Sequence, residues 1–205
     1  MSSSIRTATW CEPRVCLRCW EARSSPSRSS RRPGWARKSS SSSVGVQGGG
    51  ASSLEELEQW RDDLRRRGLR LCLTNGCFDL LHAGHVQLLA DARAMADALV
   101  VALNTDASVR RLKGPSRPLV PEAERAELLA ALESVDRVVL FDEPTPLEVI
   151  VALRPDVLAK GADWAADQIV GAEQVRGWGG RVERLPLVEG LSTSAIIERV
   201  RRRFG

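Results

Sequence analysis

The chain of 205 residues is 43% hydrophobic, enough for one packed domain with further sequence beside it. No apolar run approaches the length that a membrane-spanning helix needs. The net charge of +4 is unevenly placed: residues 1–53 hold eight Arg and one Lys against two Glu, so the rest of the chain is mildly acidic. That distribution weakens any whole-protein argument for nucleic-acid binding.

Residues 1–52 are rich in Ser, Arg and Gly, with a serine run at 39–43 and a glycine run at 48–50. No period of 2 or 3.6 is sustained, and Trp10, Trp20 and Trp35 have no apolar neighbours with which to form a face. Such a stretch cannot bury enough surface to offset chain entropy, so residues 1–52 read as a disordered tail before a domain at 53–205. A basic arm, an Arg- and Ser-rich targeting segment and an upstream extension without a selected role all fit the composition. The absence of any pattern favours the last. The missing apolar central region argues against a secretory signal.

Cys11, Cys16 and Cys19 lie in the tail, and Cys72 and Cys77 at the first strand and its loop. Two cysteines inside an expected core do not make a disulfide framework, which points to a reducing, cytoplasmic setting. Cys16-Leu17-Arg18-Cys19 offers two zinc ligands with no histidine nearby, so no metal site is expected.

Order begins at Ser53. Ser53 with Glu56 forms a capping box, Leu54, Leu57, Trp60 and Leu64 recur at helical spacing, and Gly68 closes the helix. Strands and helices then alternate. A strand at 69–74 leads through a loop to a helix at 84–95. The strand at 98–103 is continuously apolar, as one covered on both faces should be. Asn104-Thr105-Asp106 caps a short helix. A loop from Lys113 to Pro118 follows, and a helix opens at Pro121 with Ala126, Leu128, Leu129 and Leu132 as its apolar face. The pattern continues as a strand at 137–141, a helix at 145–153, a strand at 156–160, a helix at 167–177 and a strand at 181–185. A last helix begins at Ser192 or Thr193. Repeated strand–helix units predict an α/β domain with a doubly wound parallel sheet and helices on both faces.

Thr74-Asn75-Gly76-Cys77-Phe78-Asp79-Leu80-Leu81-His82-Ala83-Gly84-His85 joins the first strand to its helix and holds both histidines of the chain. Three residues apart on a first helical turn, two imidazoles share a face. The free N–H groups of that turn add a second reason for an anion to bind there. Gly84 removes a side chain where the backbone must approach a ligand. Gly190-Leu191-Ser192-Thr193-Ser194 places three hydroxyls behind a glycine at another helix start, a candidate cradle for further phosphates. Hydroxyls there are also ordinary caps. Lys113 with Arg117, Arg125, and Lys160-Gly161-Ala162-Asp163-Trp164 complete the set. The loops that carry them leave the sheet at its carboxyl edge, where open α/β sheets bind ligands.

The first and last of these stretches resemble the two signatures of the cytidylyltransferase-like, H-x-G-H nucleotidyltransferases. Arg111–Pro118 and Lys160–Asp163 are most similar to the branch that adenylylates D-glycero-β-D-manno-heptose 1-phosphate. The resemblance covers residues 70–203 and implies a Rossmann-like fold and adenylyl transfer from ATP, with Mg²⁺ travelling on the triphosphate. It implies that His82 and His85 hold the α-phosphate, that Lys113 bridges the phosphates of the two substrates, and that Ser192, Thr193 and Ser194 cradle the leaving phosphates. Asn75, Gly76, Cys77, Phe78, Gly84 and Arg125 would complete the nucleotide and phosphate contacts. Asp79, Lys160, Gly161 and Asp163 would line the sugar-phosphate or nucleotide pocket. ATP and a sugar 1-phosphate are then the expected partners, with no membrane or nucleic acid among them and homo-oligomerisation left open. Glycerol-3-phosphate cytidylyltransferases carry an arginine shortly before the serine-threonine signature, and Leu185–Glu189 has none. The heptose branch usually has threonine where Ser194 stands, which keeps the hydroxyl. The competing class is a nucleic-acid-binding protein using the basic tail. A class I tRNA synthetase would need more chain and a lysine-rich second signature.

Overall fold

The structure, a computed structural model, describes residues 50–162, 165, 168–186, 188 and 190–205. The expected disorder of the tail therefore lies outside the described residues, except at its last three positions. There the tail ends earlier than expected, because Ser52 N donates to Val138 O (2.8 Å) and Ala51 packs against the core.

Helix α1 (Leu54–Arg66) starts with the capping box in full: Glu56 N donates to the Ser53 hydroxyl and Ser53 N to the Glu56 carboxylate. Five strands follow, β1 (Leu71–Gly76), β2 (Ala98–Asn104), β3 (Arg137–Phe141), β4 (Val157–Gly161) and β5 (Arg181–Leu185). They pair in parallel in the order β3-β2-β1-β4-β5. Between them run α2 (Ala83–Ala94), α3 (Asp106–Lys113), α4 (Glu122–Ala130), α5 (Leu147–Leu153) and α6 (Ala172–Gly177), and α7 (Thr193–Phe204) closes the chain.

The alternation of β2 divides the core into two layers. Ala98, Val100 and Ala102 face one way, toward α1, α5 and α6 through Leu57, Leu64, Ile150, Leu153 and Val175. Leu99, Val101 and Leu103 face the other, toward α2 and α4 through Leu88, Leu89, Ala126 and Leu129. This is the doubly wound, Rossmann-like sheet expected from the sequence. Its strand order reverses between β1 and β4, which opens a crevice at their carboxyl ends.

Three local expectations are revised. β1 begins two residues late, because Leu71 N is held by the Asp156 carboxylate (2.7 Å) at the strand's entry. α6 begins at Ala172, not 167: Gly171 has φ +83° and Ile150 sits 2.8 Å from where its Cβ would be, so the backbone turns there. On α4, Leu128 is 48% exposed while Arg125 takes the buried place.

Two buried or half-buried charge knots tie layers together. Arg61 on α1 donates to Leu153 O, Arg154 O and the Asp156 carboxylate, closing the carboxyl end of α5. Asp136 accepts from Leu99 N (2.8 Å) and pairs with Arg93 (3.1 Å), fixing the entry to β2. Cys72 is buried and Cys77 half-buried, both as free thiols. Burial pushes the Cys72 thiol up to about 12, so it is inert at neutral pH. No described helix is long and apolar enough to cross a membrane.

Candidate active site at the switch point

β1 delivers Asn75 and Gly76 to the crevice, and the chain then folds back on itself. Phe78 adopts φ +43° and lays its ring against Gly76, where a Cβ would meet ring carbons at 3.1–3.5 Å. The same ring meets His85 edge-on, centroids 5.2 Å apart. Thus Gly76 and Phe78 build the floor on which the histidines rest.

His82 is the N-cap of α2. Its carbonyl accepts from His85 N (2.9 Å) and Val86 N (3.2 Å), but its side chain caps nothing. The first-turn N–H groups are therefore not taken by a capping side chain. The two imidazoles stack, centroids 3.8 Å apart and planes 20° from parallel. Both Nδ1 atoms are buried without a hydrogen-bond partner among the described residues. Burial, the neighbouring His82 and the Lys113 charge hold His85 down at about 4, against a contribution from the Leu80 carbonyl. Desolvation also lowers His82. Both rings are thus neutral at pH 7, each with one N–H to donate.

Gly84 is where the two signatures meet. A Cβ on it would lie 3.1 Å from His82 Cε1 and Nδ1 and 3.3 Å from Leu191 Cβ. The glycine therefore lets the Gly190–Ser194 segment close on the histidine turn. Gly190 has φ +74°, and Ser192 caps α7 by accepting from Ala195 N (3.1 Å). The Ser192 hydroxyl is thus an ordinary cap, while those of Thr193 and Ser194 have no partner among the described residues.

From the opposite wall, Lys160 on β4 donates Nζ to Asn75 O (3.1 Å) and Asn75 Oδ1 (2.9 Å), bridging the two strands of the switch point. That contact orients the Asn75 amide with its NH₂ turned from the lysine. Gly161 ends β4, and Ala162 N donates to Leu185 O (2.8 Å). Asp163 and Trp164 lie outside the described residues. Lys113 is exposed at the last position of α3.

Two expected site residues have other places. Arg125 is 0% exposed. Its guanidinium donates to Val120 O (2.9 Å), Cys77 O (2.5 Å), Asn104 O (3.0 Å) and the Asp106 carboxylate (2.7 Å), so its donors serve the protein and not a phosphate. Asp79 is 2% exposed. Its Oδ1 accepts from Leu119 N (2.8 Å) and Val120 N (2.9 Å), and Arg117 Nε lies 2.6 Å from Oδ2. That last contact is a charge pair without hydrogen-bond alignment, since neither atom has a hydrogen-bond partner. The burial of Arg125 was readable: it stands one before Ala126 and four before Leu129, on the apolar stripe of α4. Its polar partner Asn104, buried at the end of β2 and bonded to the Ser108 hydroxyl (3.0 Å), left no such pattern.

A parallel sheet with a switch-point crevice, two neutral imidazoles at an uncapped helix start and a second hydroxyl-bearing helix start against them define an enzyme of the nucleotidyltransferase type. The chain belongs to the cytidylyltransferase-like family, whose description matches residues 73–199. It is 56% identical over 156 residues to "Bifunctional protein HldE" of Syntrophotalea carbinolica, covering 75% of this chain and 32% of the relative. It is 58% identical over 146 residues to the protein of the same name from Koribacter versatilis, covering 71% and 29%. The chain thus spans about a third of the length of these curated relatives. Among solved structures it is similar to a lipopolysaccharide core biosynthesis protein from Thermoplasma volcanium, with TM-score 0.50 and 28% identity, covering 59% of this chain and 98% of that one.

Proposed function

We propose that the chain transfers the adenylyl group of ATP to D-glycero-β-D-manno-heptose 1-phosphate, releasing pyrophosphate and ADP-heptose for surface-glycan synthesis in the cytoplasm. The contact that carries this reading is the one at Gly84, where the histidine turn and the serine-threonine turn come within van der Waals reach. One helix start would hold a single phosphate. Two abutting starts suit a chain of phosphates, with the bond to be broken lying between them. The similarity to relatives named HldE and to a lipopolysaccharide core biosynthesis protein supports the sugar as acceptor.

The acceptor phosphate oxygen attacks the α-phosphorus in line, and the bond to the bridging oxygen of pyrophosphate breaks. The nucleophile is already an anion, so no proton need be removed from it. Catalysis then rests on position and on charge stabilisation. His82 and His85, both neutral, donate N–H to the α-phosphate oxygens as charge shifts in the transition state. Lys113 offers a positive charge between donor and acceptor phosphates. Thr193, Ser194 and the amides of α7 receive the leaving β- and γ-phosphates. Asn75, held by Lys160, offers its NH₂ at the strand end. Mg²⁺ travelling on the triphosphate would screen the charge of its oxygens.

The test is pyrophosphate release from each of ATP and CTP, with and without heptose 1-phosphate or glycerol 3-phosphate. Release that needs ATP and the heptose phosphate together is expected. Release with CTP and glycerol 3-phosphate instead would move the chain to the cytidylyltransferase branch. Removal of residues 1–49 is expected to leave the turnover intact. If nucleic-acid binding is the only activity and it disappears with those residues, the enzyme reading fails.

A further inference from the structure

Lys113 sits on a stretch of chain whose two ends are fastened by the same buried side chain. Arg125 holds the start through Asn104 O and the Asp106 carboxylate, and the finish through Val120 O. It also holds Cys77 O, in the loop that carries the histidine turn. Asp79, two residues further along that loop, receives Leu119 N and Val120 N on one oxygen and faces Arg117 with the other. One guanidinium and one carboxylate, both almost wholly buried, thus join segment 104–120 to the histidine loop at its start and its finish. Between the fastenings, the lysine occupies the end of α3 and Gly114 turns the chain away at φ +93°.

We propose that Arg125 and Asp79 are positioning residues, which close segment 104–120 into a fixed loop and thereby set Lys113 at its working distance from His82 and His85. This rests on the proposed nucleotidyl transfer, in which Lys113 serves both phosphates. Neither residue meets substrate. Asp79 spends its carboxylate on the loop backbone, and Arg125 has no exposed surface. A loop free to move by about 1 Å would cost up to a hundredfold in rate, because the lysine acts by its placement. The ATP contacts of the histidine and serine-threonine turns would be left in place.

The experiment compares Asp79→Ala, Asp79→Asn and Arg125→Lys with the wild-type chain by pyrophosphate release and by amide hydrogen exchange. Asp79→Ala is expected to lower kcat about tenfold to a hundredfold while KM for ATP stays within about threefold. Amides at 114–120 should exchange at least about tenfold faster, since two lose their acceptor. Asp79→Asn keeps an oxygen for both amides and should restore kcat to within about threefold of wild type. Arg125→Lys cannot reach four acceptors and should behave like Asp79→Ala. A further readout is the acidic limb of the pH–rate profile. The Lys113 charge helps burial hold His85 down, and a displaced Lys113 lets its pKa rise, so the limb should move to higher pH. The proposal is overturned by wild-type kcat in Asp79→Ala, or by a lowered kcat with unchanged exchange at 114–120 and an unmoved limb. It is also overturned if Asp79→Asn is as slow as Asp79→Ala with its loop intact, because the carboxylate charge would then itself serve the reaction. If Asp79→Ala does not fold, the contrast between Asp79→Asn and Arg125→Lys decides. If the wild-type chain releases no pyrophosphate from any pairing, the functional reading falls, and exchange at 114–120 alone judges the fastening.

Discussion

Replacing Gly84 with alanine separates the fit of the site from the stability of the fold. The position is the second residue of α2, where alanine is intrinsically the better helix former by about 1 kcal/mol. Against that gain, the new methyl would press at 3.1 Å on the His82 ring and at 3.3 Å on Leu191. Each neighbour must yield by a few tenths of an ångström. Overpacking of this kind costs about 1–3 kcal/mol. The net change in stability is therefore small, about 0–2 kcal/mol, or a fall in Tm of no more than about 8 °C for a domain of this size. The effect on turnover should be disproportionate. In the proposed transfer the ring that yields is one of the two phosphate donors, and the segment that yields carries the serine-threonine turn. Displacements well under 1 Å at both ends of a triphosphate should lower kcat about tenfold to a hundredfold. Thermal unfolding and steady-state pyrophosphate release on the same preparation read the two quantities. A variant with wild-type kcat, or one whose activity falls only in step with a collapse of Tm beyond 10 °C, would refute the idea that Gly84 exists to let the signatures meet.

Other consequences are equally measurable. His85→Ala should reduce kcat by about 10²–10³, the scale of one lost transition-state donor, and near wild-type turnover would remove His85 from the mechanism. Because His85 is held at about 4 in the folded chain and takes up its proton near 6.5 when unfolded, the unfolded state binds more protons between those values. Stability should thus fall as pH drops from about 6.5 toward 4, and chemical denaturation of His85→Gln should show a shallower decline across that window. Arg61→Met removes one donor each from Leu153 O, Arg154 O and the Asp156 carboxylate, which keep only Arg65 and Leu71 N. It should cost about 2–4 kcal/mol in urea unfolding, below the value of a fully buried pair because Asp156 is partly exposed, with kcat at low temperature unchanged. An equal loss of kcat in folded enzyme would show that α1 is coupled to the site.

The alternation of apolar strands with capped helices was enough to establish a doubly wound parallel sheet, because burial on both faces demands continuous apolar runs such as 98–103. The capping box at Ser53 and the strands at 137–141 and 181–185 fell where the pattern placed them, since each depends on neighbours close in sequence. The two signatures could be picked out for the same reason: a glycine, two histidines and three hydroxyls at helix starts form a local backbone pattern that suits an anion. What lay beyond the sequence were the partners of charged groups. A carboxylate in a signature and an arginine one turn into a helix look the same whether they face a ligand or another segment of the chain. Only the tertiary structure showed Asp79 receiving Leu119 and Val120, and Arg125 joining the loop at Cys77 to the Asn104–Asp106 turn and to Val120. Hydrogen-bond satisfaction of a buried charge is a long-range condition, met by whatever backbone the fold brings near, and no local pattern records it. Likewise the sequence could propose two phosphate turns. That they meet at Gly84 depends on β1 and β5 both ending at one edge of the same sheet.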